Sequence, residues 1–191
     1  FCAGGDLGGG QMKGGMIGLH EGRKRFADLF EALFALGKPT IARVNGTCLG
    51  GGVGLMGTVA DSVLQAGAPV IGVIPQGLMD MEVGHRGVTE LIVVDDMHQR
   101  KAMMASRATA FVAMAGGYGT LEELFEIVAW SQLEIQDRPV GLLNTGGYFD
   151  HLTAFLDHAV AEGFLRLGHR DLLHVADDPA TLLDELLSRP S

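Results

Sequence analysis

The chain has 191 residues, a length typical of one domain with a full hydrophobic core. Hydrophobic residues make up 47% of it, but glycine or charge interrupts the apolar stretches about every ten positions, which excludes a disordered chain and a membrane span. A net charge of −9 without a basic tract argues against nucleic acid as a partner. The two cysteines and the lack of a visible signal peptide indicate the reducing cytoplasm.

The predicted elements begin in a glycine-rich N-terminal third. Residues 1–18 have no clear pattern, Leu19–Leu36 is a predicted amphipathic helix, and Thr40–Val44 is a predicted strand that leads into Gly50-Gly51-Gly52. Because the chain begins at Phe1 and not at Met, we interpret it as a processed, truncated or engineered product.

After about Gly52, short β-branched runs alternate with longer amphipathic stretches, which predicts βαβ units around a parallel sheet. The predicted strands are Val70–Ile74, Leu91–Val94, Ala110–Met114 and Val140–Leu143. The predicted helices are Val53–Ala66, Met97–Arg107, Thr120–Gln132, Phe149–Glu162 and Pro179–Leu187. No internal boundary is visible, so we expect a single α/β domain over residues 1–191.

Two of these helices carry start signals. Thr120 followed by Glu123 three residues later has the spacing of a capping box, in which each side chain binds a backbone amide of the other residue. Asp178 followed by Pro179 places a capping residue before a proline in the first helical position.

Two glycine clusters precede predicted helices at the carboxyl ends of strands, where open parallel sheets bind ligands. One is Gly50-Gly51-Gly52, and the other is Gly116-Gly117-Tyr118-Gly119-Thr120. Such loops either bind a phosphate through backbone amides or form tight turns without a ligand. Arg100 lies in the first turn of a predicted helix, at the same edge of the predicted sheet as Glu123. A capping role of Glu123 would not require a basic residue nearby. The seven histidines show no metal-binding spacing, so we expect no metal site.

Five motifs together resemble the cytokinin riboside 5′-monophosphate phosphoribohydrolases, the LOG family, long described as lysine decarboxylases. The similarity extends over residues 50–187 and is carried by Gly50–Gly57, Val73-Ile74-Pro75, Thr89-Glu90-Leu91, Asp96–Lys101 and Gly116–Glu123. The resemblance implies a Rossmann-like three-layer sandwich with a mainly parallel sheet. It also implies a homodimer, which we expect to form through the helices at Met97 and Thr120.

The implied reaction is hydrolysis of the N-glycosidic bond of an adenosine 5′-monophosphate, often N6-substituted, to free base and ribose 5-phosphate, without a metal or an organic cofactor. The family's catalytic Arg and Glu correspond to Arg100 and Glu123. A carboxylate can stabilise the sugar cation or orient water, while an arginine neutralises phosphate or assists the leaving base. The predicted substrate-binding residues are Gly51, Gly52, Met97, Lys101, Gly116, Gly117, Gly119, Thr120 and Glu122. Ala115 stands where the family usually has proline.

Residues 1–52 resemble a different family, the enoyl-CoA hydratase (crotonase) superfamily. The similarity is carried by Phe1–Leu7, by Lys38–Gly46 and by Leu49–Gly52. In that superfamily two backbone amides bind a thioester oxygen, and by position these would be Gly5 and one of Gly51 or Gly52. We therefore predict a chimera with its junction at the glycine triplet.

The exchanged N-terminal third leaves three functions open. The first is the hydrolase, with a nucleotide as its small-molecule partner. The second is a nucleotide-binding protein of the same fold with impaired catalysis. The third is acyl-CoA binding through the crotonase-like loops. In the hydrolase, the central strand of the sheet has to come from Phe1–Ala3 or be absent.

Overall fold

The computed structural model describes residues 2–3, 44–45, 55–79 and 87–188. The strands are β1 Cys2–Ala3, β2 Val44–Asn45, β3 Ile71–Pro75, β4 Glu90–Val94, β5 Phe111–Ala113, β6 Val140–Leu143 and β7 Leu173–Ala176. The helices are α1 Leu55–Gln65, α2 Gln76–Met79, α3 Met97–Arg107, α4 Tyr118–Gln132, α5 Asp150–Ala161, α6 Leu167–Arg170 and α7 Pro179–Leu187. A short 3₁₀ helix spans Thr145–Gly147.

Five strands form a parallel sheet in the order β2-β1-β5-β6-β7. β1 lies inside the sheet, since Cys2 pairs with Val44 on one side and with Val112 on the other. The N-terminal segment therefore supplies the strand that the hydrolase prediction requires. A second, two-stranded parallel sheet pairs β3 with β4, with Ile71 opposite Glu90.

Helices cover both faces of the main sheet, and the side chains of β6 show how. Leu143 packs with Val59 of α1 and Leu182 of α7 on one face. Leu142 packs with Leu124 of α4 on the other face. All four residues of β6 are buried, as expected of a strand between two helical layers. This three-layer arrangement confirms the predicted α/β fold.

A glycine sets the distance between β6 and α7. A Cβ atom at Gly141 would lie 2.8 Å from Leu186 Cδ1 and 3.1 Å from Leu182 Cδ1. Because these distances are shorter than ordinary van der Waals contact, a side chain at Gly141 would force the side chains of Leu186 and Leu182 to move.

The predicted boundaries of α3, α7 and β6 agree with the structure, whereas other predictions differ from it. The predicted Val53–Ala66, Thr120–Gln132 and Phe149–Glu162 are observed as α1, α4 and α5 with shifted ends. The single-turn helices α2 and α6 were not predicted, because four residues are too few for a helical period. Strand β7 was not predicted because His174 interrupts its apolar run, whereas the equally short β6 contains no polar side chain. The predicted helix Leu19–Leu36 lies outside the described residues.

The prediction of a single domain over residues 1–191 stays a prediction, because much of the N-terminal third is not described. Among the residues that the structure describes, no helix has both the length and the apolar character needed to cross a membrane. The same residues contain no group of three or more His, Cys, Asp or Glu side chains that could hold a metal ion.

Candidate active site

The candidate site lies at the carboxyl ends of strands β5 and β6. Strand β5 leads through residues 114–117 into α4, and β6 leads through residues 144–149 into α5. Because β5 and β6 are parallel neighbours, the two loops emerge at the same edge of the sheet. The glycine-rich loop and the start of α4 therefore lie where ligands bind in this class of fold.

Arg100 is fixed on the first turn of α3. Its side chain is 7% exposed, and its Nε donates a hydrogen bond of 3.1 Å to the carbonyl oxygen of Val73 in β3. Its Nη1 lies 3.8 Å from Met97 Sδ. Asp96 caps the helix by accepting a 2.8 Å hydrogen bond from the amide of Gln99. The planar guanidinium, which carries five N–H donors, is thus held in one orientation beside β3.

Glu123 is fully buried on the second turn of α4. It is 0% exposed, and Thr120, one turn before it, is 1% exposed. Leu124 and Ile127 on the same helix are buried as well. A carboxylate is costly to place among such neighbours, so an acidic residue there has a use other than solubility.

The predicted capping box of Thr120 and Glu123 is wrong. Helix α4 begins at Tyr118, so both residues lie within the helix, and the N-cap is Gly117, which makes no side-chain hydrogen bond. The Gly117 carbonyl accepts the first helical bond from Leu121 at 3.1 Å. Glycine lets the chain turn into the helix by backbone conformation alone, and this leaves the amides at the start of α4 uncovered by a capping side chain.

An ion-pair cluster joins α3 to α4. Lys101 Nζ binds Glu122 and lies 3.1 Å from Glu126 Oε2, and the lysine side chain is 13% exposed. Burial alone would lower the pKa of Lys101, but the hydrogen bonds to Glu122 and Glu126 outweigh it and raise that pKa above its usual value. The cluster fixes α3 against α4 one residue after Arg100 and one residue before Glu123.

Seven of the nine predicted substrate-binding residues lie in the described part of the chain. Lys101 and Glu122 bind each other, Met97 contacts Arg100, and Gly116, Gly117, Gly119 and Thr120 form the loop and first turn of α4. Gly51 and Gly52 lie outside the described residues, as does Gly5 of the crotonase-like segment. Their roles stay predictions.

Gly119 leaves open space at the start of α4. Within the described part of the chain, a Cβ atom built at Gly119 would meet no atom within 4 Å. Packing of these residues therefore does not require glycine there. A ligand that approaches the helix start closely would require it.

One contact at this edge was not predicted. The Tyr148 hydroxyl donates a 2.9 Å hydrogen bond to the carbonyl oxygen of Gly116. Tyr148 follows the predicted strand Val140–Leu143 by a few residues, so the rule that ligands bind at carboxyl ends of strands could have indicated the residue but not its partner.

This set of groups suits cleavage of a bond next to a sugar that bears a phosphate. A buried carboxylate can stabilise positive charge on the sugar ring, and an arginine can neutralise an anion or stabilise a leaving group. Uncovered amides at a helix start can bind phosphate. Groups of these kinds lie on α3, on α4 and in the loop before α4.

Comparison with known proteins gives the same family that the motifs indicate. The sequence profile of a family described as "Possible lysine decarboxylase" matches residues 56–186. The chain is 48% identical over 170 residues to the probable cytokinin riboside 5′-monophosphate phosphoribohydrolase LOGL2 of Oryza sativa subsp. japonica, covering 88% of this chain and 69% of that protein. It is 47% identical over 144 residues to LOG5 of Arabidopsis thaliana, covering 75% of this chain and 63% of that protein.

Solved structures support the fold. The molybdenum cofactor binding protein of Rippkaea orientalis superimposes with a TM-score of 0.60 at 18% identity, covering 98% of this chain and 93% of that one. The molybdenum cofactor carrier protein of Chlamydomonas reinhardtii gives a TM-score of 0.55 at 22% identity, with 89% and 90% covered. Identity this low supports a common fold and nothing about ligands.

The alignment with LOGL2 covers enough of the chain to include part of residues 1–52. The predicted junction between two families at the glycine triplet is not tested by this similarity and stays a prediction. The family itself is established by the profile match and by the identity to curated relatives. The chain belongs to the family of the cytokinin riboside 5′-monophosphate phosphoribohydrolases.

Proposed function

We propose that this protein hydrolyses the N-glycosidic bond of adenosine 5′-monophosphates, including N6-substituted ones, to the free base and ribose 5-phosphate. The observation that carries the proposal is the pair of buried ionisable groups, Arg100 and Glu123, on two helices that an ion-pair cluster fixes together. The names of the relatives, which are phosphoribohydrolases of cytokinin riboside 5′-monophosphates, support the same chemistry.

In this proposal Glu123 acts on the sugar. As the bond from C1′ to the base nitrogen breaks, its electron pair leaves with the base and the ring takes on oxocarbenium character. The Glu123 carboxylate stabilises this cation or orients the attacking water. The water oxygen bonds to C1′, one water proton goes to the departing base, and the products are the base and ribose 5-phosphate.

Arg100 and the glycine loop act on the charged parts of the nucleotide. The Arg100 guanidinium neutralises phosphate or supports the leaving base through its positive charge. It does so from one fixed position, because its Nε donates a hydrogen bond to the carbonyl oxygen of Val73. Gly116, Gly117 and Gly119 with Thr120 bind the phosphate at the start of α4, where the helix dipole favours an anion. The reaction needs no metal or organic cofactor in this account.

We also propose that the protein is a homodimer formed through α3 and α4 and that it acts in the cytoplasm. Two apolar side chains on these helices support the dimer, since Met97 is 39% exposed and Phe125 is 37% exposed. The small number of cysteines supports a reducing compartment. Light scattering coupled to size-exclusion chromatography tests the dimer, and a monomeric mass would overturn it.

The experiment that tests the function is measurement of free base released from AMP, from N6-isopentenyl-AMP and from adenosine by liquid chromatography. We expect release from both monophosphates, loss of release with Glu123→Gln, and little release from adenosine, which lacks the phosphate. Folded protein that releases no base from any monophosphate would overturn the hydrolase. If that protein still binds AMP in calorimetry, the binding-only alternative becomes the function.

A further inference from the structure

We propose that Tyr148 is a positioning residue that orients the peptide group between Gly116 and Gly117, so that the Gly117 amide N–H faces the phosphate of the substrate. This inference rests on the proposed function, and it assigns a role to a residue that neither the sequence motifs nor the relatives indicate. Tyr148 does not contact the reacting atoms in this account. It acts through the glycine loop.

The contact joins two loops that are distant in sequence. The Tyr148 hydroxyl reaches the Gly116 carbonyl across 32 positions of the chain at 2.9 Å, from the loop after β6 to the loop after β5. Gly116 is buried, whereas Tyr148 is 55% exposed. The hydrogen bond is therefore formed at the boundary between the protein interior and the open edge of the sheet.

The tyrosine itself is held in place. Its ring meets the ring of Phe149 edge to face, with centroids 4.8 Å apart, and Phe149 is 3% exposed. The Phe149 amide donates a 2.6 Å hydrogen bond to Asn144 Oδ1, and Asn144 Nδ2 donates a 2.7 Å bond to Asp150 Oδ1. These bonds fix the loop after β6, so the hydroxyl is presented from a rigid support.

Because the peptide between Gly116 and Gly117 is trans, the bond to the Gly116 carbonyl also fixes the direction of the Gly117 N–H. The described chain contains no cis peptide bond, so the Gly116 carbonyl and the Gly117 N–H point in nearly opposite directions. A carbonyl held towards Tyr148 turns the Gly117 N–H away from it. Two flanking glycines make rotation of this peptide cheap, which is why an external constraint has an effect here.

The constrained amide belongs to the start of α4. Gly117 is the N-cap of that helix, and its N–H is one of the four that have no partner within the helix. Among the described residues, this amide donates no backbone hydrogen bond. A rotated peptide would present the carbonyl oxygen to a bound phosphate in place of the N–H, and the two oxygens would repel each other.

The test compares the loss of two hydroxyls that each donate a hydrogen bond to a backbone carbonyl oxygen. Tyr148→Phe removes the hydroxyl that binds Gly116. Ser106→Ala removes a hydroxyl that donates a 2.8 Å hydrogen bond to the Met103 carbonyl oxygen in the last turn of α3, before β5 begins. Base release from AMP gives KM and kcat for wild type and both variants, and thermal melting confirms that each is folded.

We expect Tyr148→Phe to raise KM for AMP about 3- to 10-fold, the range of one lost hydrogen bond, with kcat within about twofold. Ser106→Ala should keep the wild-type KM. A variant that is only less well folded would have a lower apparent kcat and an unchanged KM. A higher KM with an unchanged kcat therefore distinguishes positioning of the Gly117 amide from a structural role. An unchanged KM in Tyr148→Phe, or the same rise in both variants, overturns the inference.

Failure of the proposed function would be recognised separately. If wild type binds AMP without cleaving it, hydrolysis fails, and the same comparison is made on Kd from calorimetry with the same expected ratio. If wild type neither cleaves nor binds AMP, the proposed function is wrong, and the inference, which rests on that function, is wrong as well. If wild type cleaves AMP and Tyr148→Phe matches it, only the inference fails.

Discussion

Helices α4 and α7 pack on opposite faces of strand β6, and their starts are built in contrasting ways. The start of α7 is closed, because Asp178 Oδ2 accepts hydrogen bonds from the Thr181 amide at 2.8 Å and from its hydroxyl at 2.9 Å, and Pro179 is buried. The start of α4 is open, with Gly117 as its N-cap and no capping side chain.

This difference separates a structural helix start from one that is suited to a ligand. Asp178 satisfies its helix internally, and its own pKa is lowered by the hydrogen bonds from the Thr181 amide and hydroxyl. Helix α4 has no such cap, and its Glu122 pairs with Lys101 of the neighbouring helix. Among the described residues the Gly117 amide donates no backbone hydrogen bond, and an acidic residue is buried on the next turn of the helix. We expect substitutions at the two starts to affect different properties.

The largest expected effect is that of Glu123→Gln on catalysis. Glu123 lies six residues after the N-cap of α4, and Asp184 lies at the same distance from the N-cap of α7, where it is exposed. We expect Glu123→Gln to lower kcat for AMP at least about 100-fold, because it removes the charge that faces the sugar cation. Asp184→Asn should retain the wild-type kcat. Equal activity of the two variants would remove Glu123 from the mechanism.

Two glycine substitutions should affect different properties. Gly119→Ala should change the KM for AMP, and Gly141→Ala should change the stability. Gly119→Ala adds a methyl group where no described atom lies within 4 Å, so we expect an unchanged or higher Tm and a KM for AMP raised about 10-fold. Gly141→Ala, against α7, should lower stability by about 1 to 3 kcal/mol through overpacking and leave KM unchanged. A Gly119→Ala variant with wild-type KM would contradict close approach of the phosphate.

The ion pair that joins α3 to α4 should contribute to stability. Lys101→Met leaves Glu126 without its cation in a partly buried place, and we expect a loss of about 1 to 2 kcal/mol. Arg107→Met, which breaks an exposed pair on the same helix with Glu90, should cost less than about 0.5 kcal/mol. Equal losses in chemical denaturation would mean that burial of Lys101 does not matter.

The stability that the Lys101 ion pairs contribute should depend on pH in the direction set by the raised pKa of Lys101. Because the pKa of Lys101 is raised above 10.5, the stabilisation is fully present below that pH and is lost as the pH rises through the raised value. The Tm difference between wild type and Lys101→Met should therefore be constant near neutral pH and shrink only in strongly basic solution. A difference that shrinks between pH 6 and 9 would contradict this assignment.

The smallest effect is expected at the closed start of α7. Asp178→Ala should lower Tm by a few degrees without changing KM, while Asp178→Asn keeps a capping side chain. Since the pKa of Asp178 is lowered below 3.8, its stabilisation is present above that pH and is lost as the pH falls through the lowered value. The Tm gap between wild type and Asp178→Ala should therefore close in strong acid, and a KM change in either variant would contradict the comparison.

Local signals explain which parts of the fold were predictable. Helix α7 begins where Asp178 and Pro179 indicated, because cap and proline are both read from neighbouring residues. The start of α4 was placed two residues too late, because the Thr120 hydroxyl resembled a cap and a glycine N-cap has no side chain to detect. Strand β7 was missed because His174 interrupts its apolar run, whereas the equally short β6 contains no polar side chain.

Contacts between elements explain why the site was only partly predicted. Arg100 and Glu123 could be predicted as site residues, because each belongs to a short sequence motif. The pairing of Lys101 with Glu122 depends on α3 lying beside α4, and the bond from Tyr148 to Gly116 depends on β6 lying beside β5. The order of strands in a sheet is not encoded in any one segment, so these contacts became visible only in the folded chain.

The position of β1 has a consequence for the folding of the protein. β3 pairs with β4 across 19 residues, from Ile71 to Glu90, and β6 pairs with β7 across 33 residues, from Val140 to Leu173. β1 pairs with β5 across 110 residues, from Cys2 to Val112. Loop closure of that length is entropically costly and slow. We therefore expect the pairs β3–β4 and β6–β7 to form first and β1 to enter the sheet late.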